Sequence, residues 1–274
     1  MPRSFLRAAL AALSLLAMPA SQAAERVVVL GPHLAELACS AGGCGQLVGA
    51  IAYSDFPASV KQLPVIGDAA QVNLEALLAL RPTLVLAWDG GTSPTTVQRL
   101  RDLGLRVEPV RIEKLAEVAD ALEQVGAWLG TAGPARVAAA DYRRRLAALA
   151  ARYTAAKPLK VFYQIETAPP YTVNGDSPIS QAIALCGGRN VFANLPTLAA
   201  PVSDEAVLAA RPEVVVHSDR DAVAMRAYWS RFPTQPAMAA GRIYGIDADL
   251  LARAGPRLID GAELLCATLD LARR

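Results

Sequence analysis

The segment NLEALLALRPTLVL begins at Asn73, and SDEAVLAARPEVVV begins at Ser203. Seven of the fourteen positions are identical, and the match needs no gap. In the first copy Leu74, Leu77, Leu78 and Leu80 recur at helical spacing. Arg81-Pro82 then stops the helix, because a proline disfavours helical geometry in the residue before it. The run Thr83, Leu84, Val85, Leu86 is short and apolar, as expected of a strand buried on both faces. The second copy repeats the scheme: a helix through Val207 and Leu208, a stop at Arg211-Pro212, and a strand Val214, Val215, Val216. One helix–strand unit written twice predicts two α/β lobes of like design.

The remaining pattern fits that prediction. Residues 26–30 (RVVVL) read as the first strand of one lobe, and residues 159–165 (LKVFYQI) as the first strand of the other. Residues 105–110 and 242–246 are shorter strand candidates. Strands alternating with helices favour mainly parallel sheets in Rossmann-like lobes. Between them, residues 114–156 are rich in the strong helix formers Ala, Leu, Glu and Arg. Gly130 and Gly133-Pro134 break this stretch once, and proline suits the first turn of a helix. The run after Pro134 predicts a helix of about 22 residues, roughly 33 Å long, which can act as a rigid strut between the lobes. The expected organisation is a leader over 1–23, a first lobe over 24–130, the connecting helix over 131–156 and a second lobe over 157–274.

The leader reading rests on Arg3 and Arg7, a short apolar run from Ala8 to Met18, and the small-residue exit Ala20-Ser21-Gln22-Ala23. The apolar run is shorter than the roughly 20 residues that a spanning helix needs. Cleavage near Ala23 fits best and predicts an exported, soluble product. Removing the leader takes Lys+Arg from 27 to 25 against 25 Asp+Glu, so the mature chain is near neutral. Nucleic acid is therefore not an expected partner, since phosphate contacts call for a basic surface.

Export permits disulfides. Cys39, Cys44, Cys186 and Cys266 allow three pairings. Gly42 and Gly43 make a local Cys39–Cys44 bridge easy, which would leave Cys186 with Cys266. Only two histidines exist, and neither stands at zinc-ligand spacing from a cysteine.

Catalytic patterns are scarce. The chain has no G-x-S-x-G, no P-loop, no G-x-G-x-x-G after a strand and no H-E-x-x-H. Glu166, Asp176 and Asp249 are the carboxylates that a cleft enzyme could recruit, and nothing in their spacing pairs them. A two-lobed binder that is not an enzyme is the better reading, with its ligand in the cleft between lobes. Trp88 and Tyr171 fall just after predicted strands and Tyr53 in the loop YSDFP, near strand ends, where ligands of open α/β sheets sit. Aromatic rings there can stack on a flat ligand. His33, after Gly31-Pro32 at the end of the first strand, can reach the same cleft, as can His217 after the strand of the second repeat.

These pieces carry a resemblance. YSDFP at 53–57, NLEALLALRPTLVLAW at 73–88, Gly90-Gly91, APPYT at 168–172, IALCGGRNVF at 183–192 and RAGPR at 253–257 span the chain after its leader. The pattern resembles the periplasmic substrate-binding proteins of ABC importers with a helical backbone, the group serving cobalamin, haem and ferric siderophores. The cobalamin binders are the nearest in kind. The resemblance implies a monomeric periplasmic protein that captures a corrinoid and hands it to a membrane permease with its ATPase, without a cofactor of its own. It also implies a stiff pair of lobes with little closure.

By position, the resemblance puts Tyr53, Trp88, Tyr171 and Asp249 on the corrin. It makes Glu75 and Glu205, at the same step of the two repeats, the acids that dock on permease arginines. Acids near a helix start are also favoured locally, by about 0.3–1 kcal/mol. Cys186 with Cys266 matches a disulfide position of the cobalamin binders, whereas Cys39 with Cys44 is an addition. Ala69, Ile165, Ala200 and Leu250 stand where those binders carry aromatic rings, which removes several stacking platforms. Haem is the alternative ligand, because haem binders place His or Tyr on the iron, and His33 and Tyr53 are the candidates. Ferric siderophores call for a cationic cleft, for which Arg253 and Arg257 are the available charges.

Overall fold

The computed structural model describes residues 24–274, so the predicted leader lies outside the described residues. In the first lobe, β1 (Val27–Leu30), β2 (Leu47–Ala50), β3 (Leu84–Trp88) and β4 (Val107–Val110) form a parallel sheet in the order β2-β1-β3-β4. Helices α1 (Pro32–Ser40), α2 (Leu74–Ala79), α3 (Pro94–Asp102) and α4 (Glu117–Trp128) connect and flank them. Helix α5 (Ala132–Tyr153) follows as 22 unbroken residues. The second lobe adds β5 (Leu159–Gln164), β6 (Glu166–Thr167), β7 (Pro170–Val173), α6 (Pro178–Leu185), β8 (Gly188–Asn190), β9 (Ala199–Pro201) and α7 (Asp204–Ala210). It continues through β10 (Val214–Ser218), α8 (Ala222–Ser230), α9 (Pro236–Ala239), β11 (Ile243–Ile246), α10 (Ala248–Leu251) and α11 (Leu258–Arg273). Its main sheet is parallel, in the order β11-β10-β5-β8.

Read from the other edge, that order is β8-β5-β10-β11, which maps strand for strand onto β2-β1-β3-β4. The sequence repeat occupies the same place in both sheets: α2 feeds β3 beside β1, and α7 feeds β10 beside β5. The local devices repeat too. The Asn73 side chain accepts a hydrogen bond from the Ala76 amide, and Ser203 accepts one from the Ala206 amide. Arg81 and Arg211 both leave the helix in the left-handed region, at φ 47° and 48°. Each precedes a proline that denies it the right-handed helical region, so the stop overrides the usual cost of a left-handed non-glycine residue, about 1–2 kcal/mol.

Five short strands escape the sequence pattern. β2 is four residues long and contains Gly49, and β8 is only three residues long. A three-stranded antiparallel sheet, β6-β7-β9, forms within the second lobe from short pieces, two of them containing proline, whose pairing is set by the fold rather than by local alternation.

Alternation along the strands sorts the core. Val27 and Val29 of β1, and Val214 and Val216 of β10, face one shared cluster that also takes Ala139 and Tyr142 of α5 and Leu265 of α11. Val28 and Val215 point the other way, into separate outer clusters. The two lobes thus pack their inner faces on a common core threaded by α5. Ion pairs fix that helix to both lobes. Arg143 reaches Asp120 and Glu123 of α4 at 2.6 Å, and Arg145 reaches Asp260 and Glu263 of α11 at 2.5 and 2.6 Å. Cys186–Cys266 ties the end of α6 to α11, and Cys39–Cys44 closes the turn after α1. Among the described residues no helix is long and apolar enough to cross a membrane.

Candidate functional site

The carboxyl ends of both parallel sheets open toward the seam between the lobes. His33 follows β1, Tyr53 follows β2, and Trp88 ends β3. From the second lobe, Tyr171 lies in β7 just beyond β5, and Asp249 in α10 follows β11. The repeat and the crossover rule of parallel sheets therefore bring the sequence-predicted binding residues to one end of each sheet.

Individual placements differ from the expectations. Tyr53 is 82 % exposed and sits at φ 65°, so its ring projects into solvent from a left-handed turn. Trp88 is partly exposed and meets His33 edge to face at 5.1 Å between ring centres. Gly91 is what lets the indole lie there: a Cβ at that position would stand 1.9 Å from Trp88 Cε3. His33 is not a free side chain of the cleft, since only 5 % of it is accessible. Burial, and then the nearby Arg253 guanidinium, push its pKa down to about 4, so the ring is neutral at ordinary pH. His217 is likewise buried, with Nδ1 2.6 Å from the Ser218 carbonyl. Tyr171 is half-buried, and its hydroxyl donates to the Ala199 carbonyl at 3.3 Å.

The arginines that the sequence offers as open cations are engaged. Arg253 donates to Asp55 at 2.6 Å, to Glu36 at 3.2 Å and to the Tyr53 carbonyl at 3.1 Å, and it pairs with Asp249 at 3.0 Å. Arg257 grips Glu36 through Nε and Nη2 at 3.0 and 2.7 Å and stacks on Phe56 at 4.1 Å. Burial opposes ionisation of Asp55, but the hydrogen bond and charge of Arg253 hold its carboxyl below the usual carboxylate range. Glu36, in α1, is 1 % exposed and joins both arginines across the lobes. Sequence reasoning missed it: an acid inside the apolar helix HLAELA is the one available signal, since a buried carboxylate calls for a partner. Arg220 adds a second pair to Asp249, at 2.5 Å.

Beyond the ends of β5 and β10 runs a groove of about 440 Å³, lined by Ile165, Glu166, Thr167, Ala168, Asp221, Ala224 and Met225. Of the positions without the family's rings, Ile165 takes part in this wall. Ala69 is exposed, and Ala200 and Leu250 are half-buried. The carboxylates an enzyme would need are not assembled: Asp176 is held by the Asn174 amide, Asp249 is paired with arginines, and Glu166 lies in the groove. Among the described residues no group of three or more His, Cys, Asp or Glu side chains is placed to hold a metal.

Comparison with known proteins fixes the family. The family model described as "Periplasmic binding protein" matches residues 27–250, most of the chain. The chain belongs to the periplasmic binding proteins. Among relatives of this family is a vitamin B12-binding protein of Vibrio cholerae serotype O1, 33% identical over 262 residues that cover 95% of this chain and 94% of the relative. The crystal structure of the periplasmic vitamin B12 binding protein BtuF of Vibrio cholerae superposes with a TM-score of 0.85 at 32% identity, covering 92% of this chain and 98% of that one. A periplasmic heme binding protein from Pseudomonas aeruginosa superposes at 0.77 with 30% identity, covering 89% and 92%. These relatives are substrate-binding proteins, not enzymes, of a family that binds small molecules and works with ABC transporters.

Proposed function

We propose that this periplasmic binding protein captures a corrinoid, cobalamin being the reference ligand, between its lobes and delivers it to an ABC importer of the inner membrane. The observation that carries the proposal is the match to vitamin B12-binding relatives along almost the whole chain, both cleft walls included. Trp88 and Tyr53 would face the corrin from the first lobe, and Tyr171 and Asp249 from the second, with His33 backing the indole of Trp88. The proposed units are a first lobe over 24–130, the helix over 131–156 and a second lobe over 157–274, in an exported monomer whose leader is removed near Ala23.

Permease docking is assigned to Glu75 and Glu205. Both are exposed in the first turn of a helix capped the same way, one on each lobe, which suits a two-fold partner. Glu75→Ala combined with Glu205→Ala should leave corrinoid affinity intact and abolish capture by permease-loaded proteoliposomes. Unchanged capture removes this assignment.

The ligand is tested by titrating the protein lacking residues 1–23 with cyanocobalamin and haemin, read by calorimetry and absorbance. One-to-one cyanocobalamin binding at submicromolar strength supports the proposal. The shared fold and 30% identity of the heme-binding neighbour support haem as the second reading, and tight haemin binding with no cyanocobalamin heat would establish it.

A further inference from the structure

We infer that Glu36 sets ligand specificity from behind the cleft: by neutralising Arg253 and Arg257 it withholds both cations from ligand carboxylates and so favours amide-bearing over carboxylate-bearing tetrapyrroles. The inference rests on the binding reading above and deepens it. Glu36 itself is 1 % exposed and cannot meet a ligand in the cleft, so it acts as a positioning residue through the two arginines.

Its two oxygens take three hydrogen bonds, one from Arg253 and two from the Arg257 fork. A forked guanidinium–carboxylate pair is the strongest and most directional arrangement available to these groups. Arg253 spends its remaining terminal donors on Asp55, Asp249 and the Tyr53 carbonyl. The far face of Arg257 is covered by the Phe56 ring. Arg220 in turn pairs with Asp249 and, at 3.8 Å, with Asp247, so four carboxylates stand against three guanidiniums and the seam keeps net negative charge. Lys61 lies close enough to Asp55 to favour its ionised form, but it is exposed and makes no ion pair among the described residues.

A porphyrin bearing propionates must insert anionic groups here and find the arginines occupied by acids, of which Glu36 is buried in the first lobe. The ligand pays twice, once in repulsion and once in breaking a bond to Glu36. An amide-fringed corrinoid meets no such obstacle, because its NH₂ groups donate and Asp55 and Asp249 retain acceptor lone pairs. Removing the Glu36 charge leaves the geometry of a hydrogen-bonding side chain in place and frees cationic character at Arg253 and Arg257.

The experiment compares wild type with Glu36→Gln, titrated with metal-free protoporphyrin IX, its dimethyl ester and cyanocobalamin. Omitting the metal keeps axial ligation by His33 or Tyr53 out of the measurement. Glu36→Gln should tighten protoporphyrin IX at least about tenfold, equivalent to about 1.4 kcal/mol. It should leave the dimethyl ester unchanged and not tighten cyanocobalamin. The gain should vanish near 1 M NaCl, where the screening length falls to about 3 Å. A merely structural role for Glu36 would not separate the acid from its ester. A folded Glu36→Gln protein with an unchanged ratio of protoporphyrin IX to cyanocobalamin affinity overturns the inference and leaves the corrinoid reading standing. If wild type ignores cyanocobalamin yet the variant still gains the acid over the ester, the corrinoid reading falls and the role of Glu36 stands. Should Glu36→Gln fail to fold, Asp55→Asn takes its place, since the Asp55 side chain is 40% exposed and releases Arg253 from one acceptor. It should tighten the acid about threefold, or roughly 0.7 kcal/mol, and no change there also overturns the inference.

Discussion

Acidification should destabilise this protein well before its carboxylates protonate, because of His33. The ring is buried, and its pKa falls from 6.5 in the unfolded chain to about 4 in the folded one. A histidine with a depressed folded pKa contributes stability that is fully present above 6.5 and is lost as pH falls toward 4, since only the unfolded chain takes up the proton in that window. The full gap corresponds to about 3.4 kcal/mol at 1.36 kcal/mol per pH unit. Between about pH 7.5 and about pH 5 the same linkage predicts a loss of about 2 kcal/mol. The assay is urea unfolding across that range, followed by far-UV circular dichroism, for wild type and for His33→Phe, which keeps an edge-to-face partner for Trp88 and removes the titrating group. The variant can be less stable at every pH, because Gly255 approaches His33 closely: a Cβ there would lie 3.3 Å from His33 Cβ. What matters is the difference in pH slope, which also cancels contributions from Asp55 and other carboxylates that titrate lower. Equal slopes in the two proteins would refute the buried neutral imidazole.

The two disulfides should differ in weight. Replacing Cys186 and Cys266 by alanine, which opens a bridge 80 residues apart in sequence, should cost about 4–5 kcal/mol, against about 2 kcal/mol for the pair Cys39 and Cys44, five apart. Urea unfolding without reductant checks the order, and equal losses contradict the loop-entropy account. Gly91→Ala should displace the Trp88 indole and weaken cyanocobalamin binding about tenfold, or ~1.4 kcal/mol, with the circular dichroism spectrum intact; unaltered affinity would mean that Trp88 is not a contact. Arg145→Met should lower stability by about 1–2 kcal/mol by removing the link from α5 to Asp260 and Glu263, as read from the urea midpoint.

Local chemistry wrote much of this fold into the sequence. The two helix–strand units, their Asn73 and Ser203 caps and their Arg-Pro stops depend on neighbours within about four residues, so they are legible without any tertiary information. The long α5 follows from a run of helix formers with no breaker, and the equivalence of the two halves follows from the repeat. Strand ends carrying Trp88 and Tyr171 locate the cleft for the same reason: a parallel sheet puts its carboxyl ends on one side.

The seam was decided elsewhere. Glu36 lies 217 residues from Arg253 and 221 from Arg257, and no periodicity reaches across that separation. Only packing the two sheets on one core brings α1 against the segment after α10. That packing turns the apparently free arginines into paired ones and encloses His33. It also pairs β6, β7 and β9, whose short segments show no alternation to read. Backbone preference acts over a turn of helix or a pair of strand residues, so the sequence determines the elements and their order. Charge compensation acts through space between groups that folding has already stripped of water, so the electrostatic character of the cleft belongs to the tertiary structure alone.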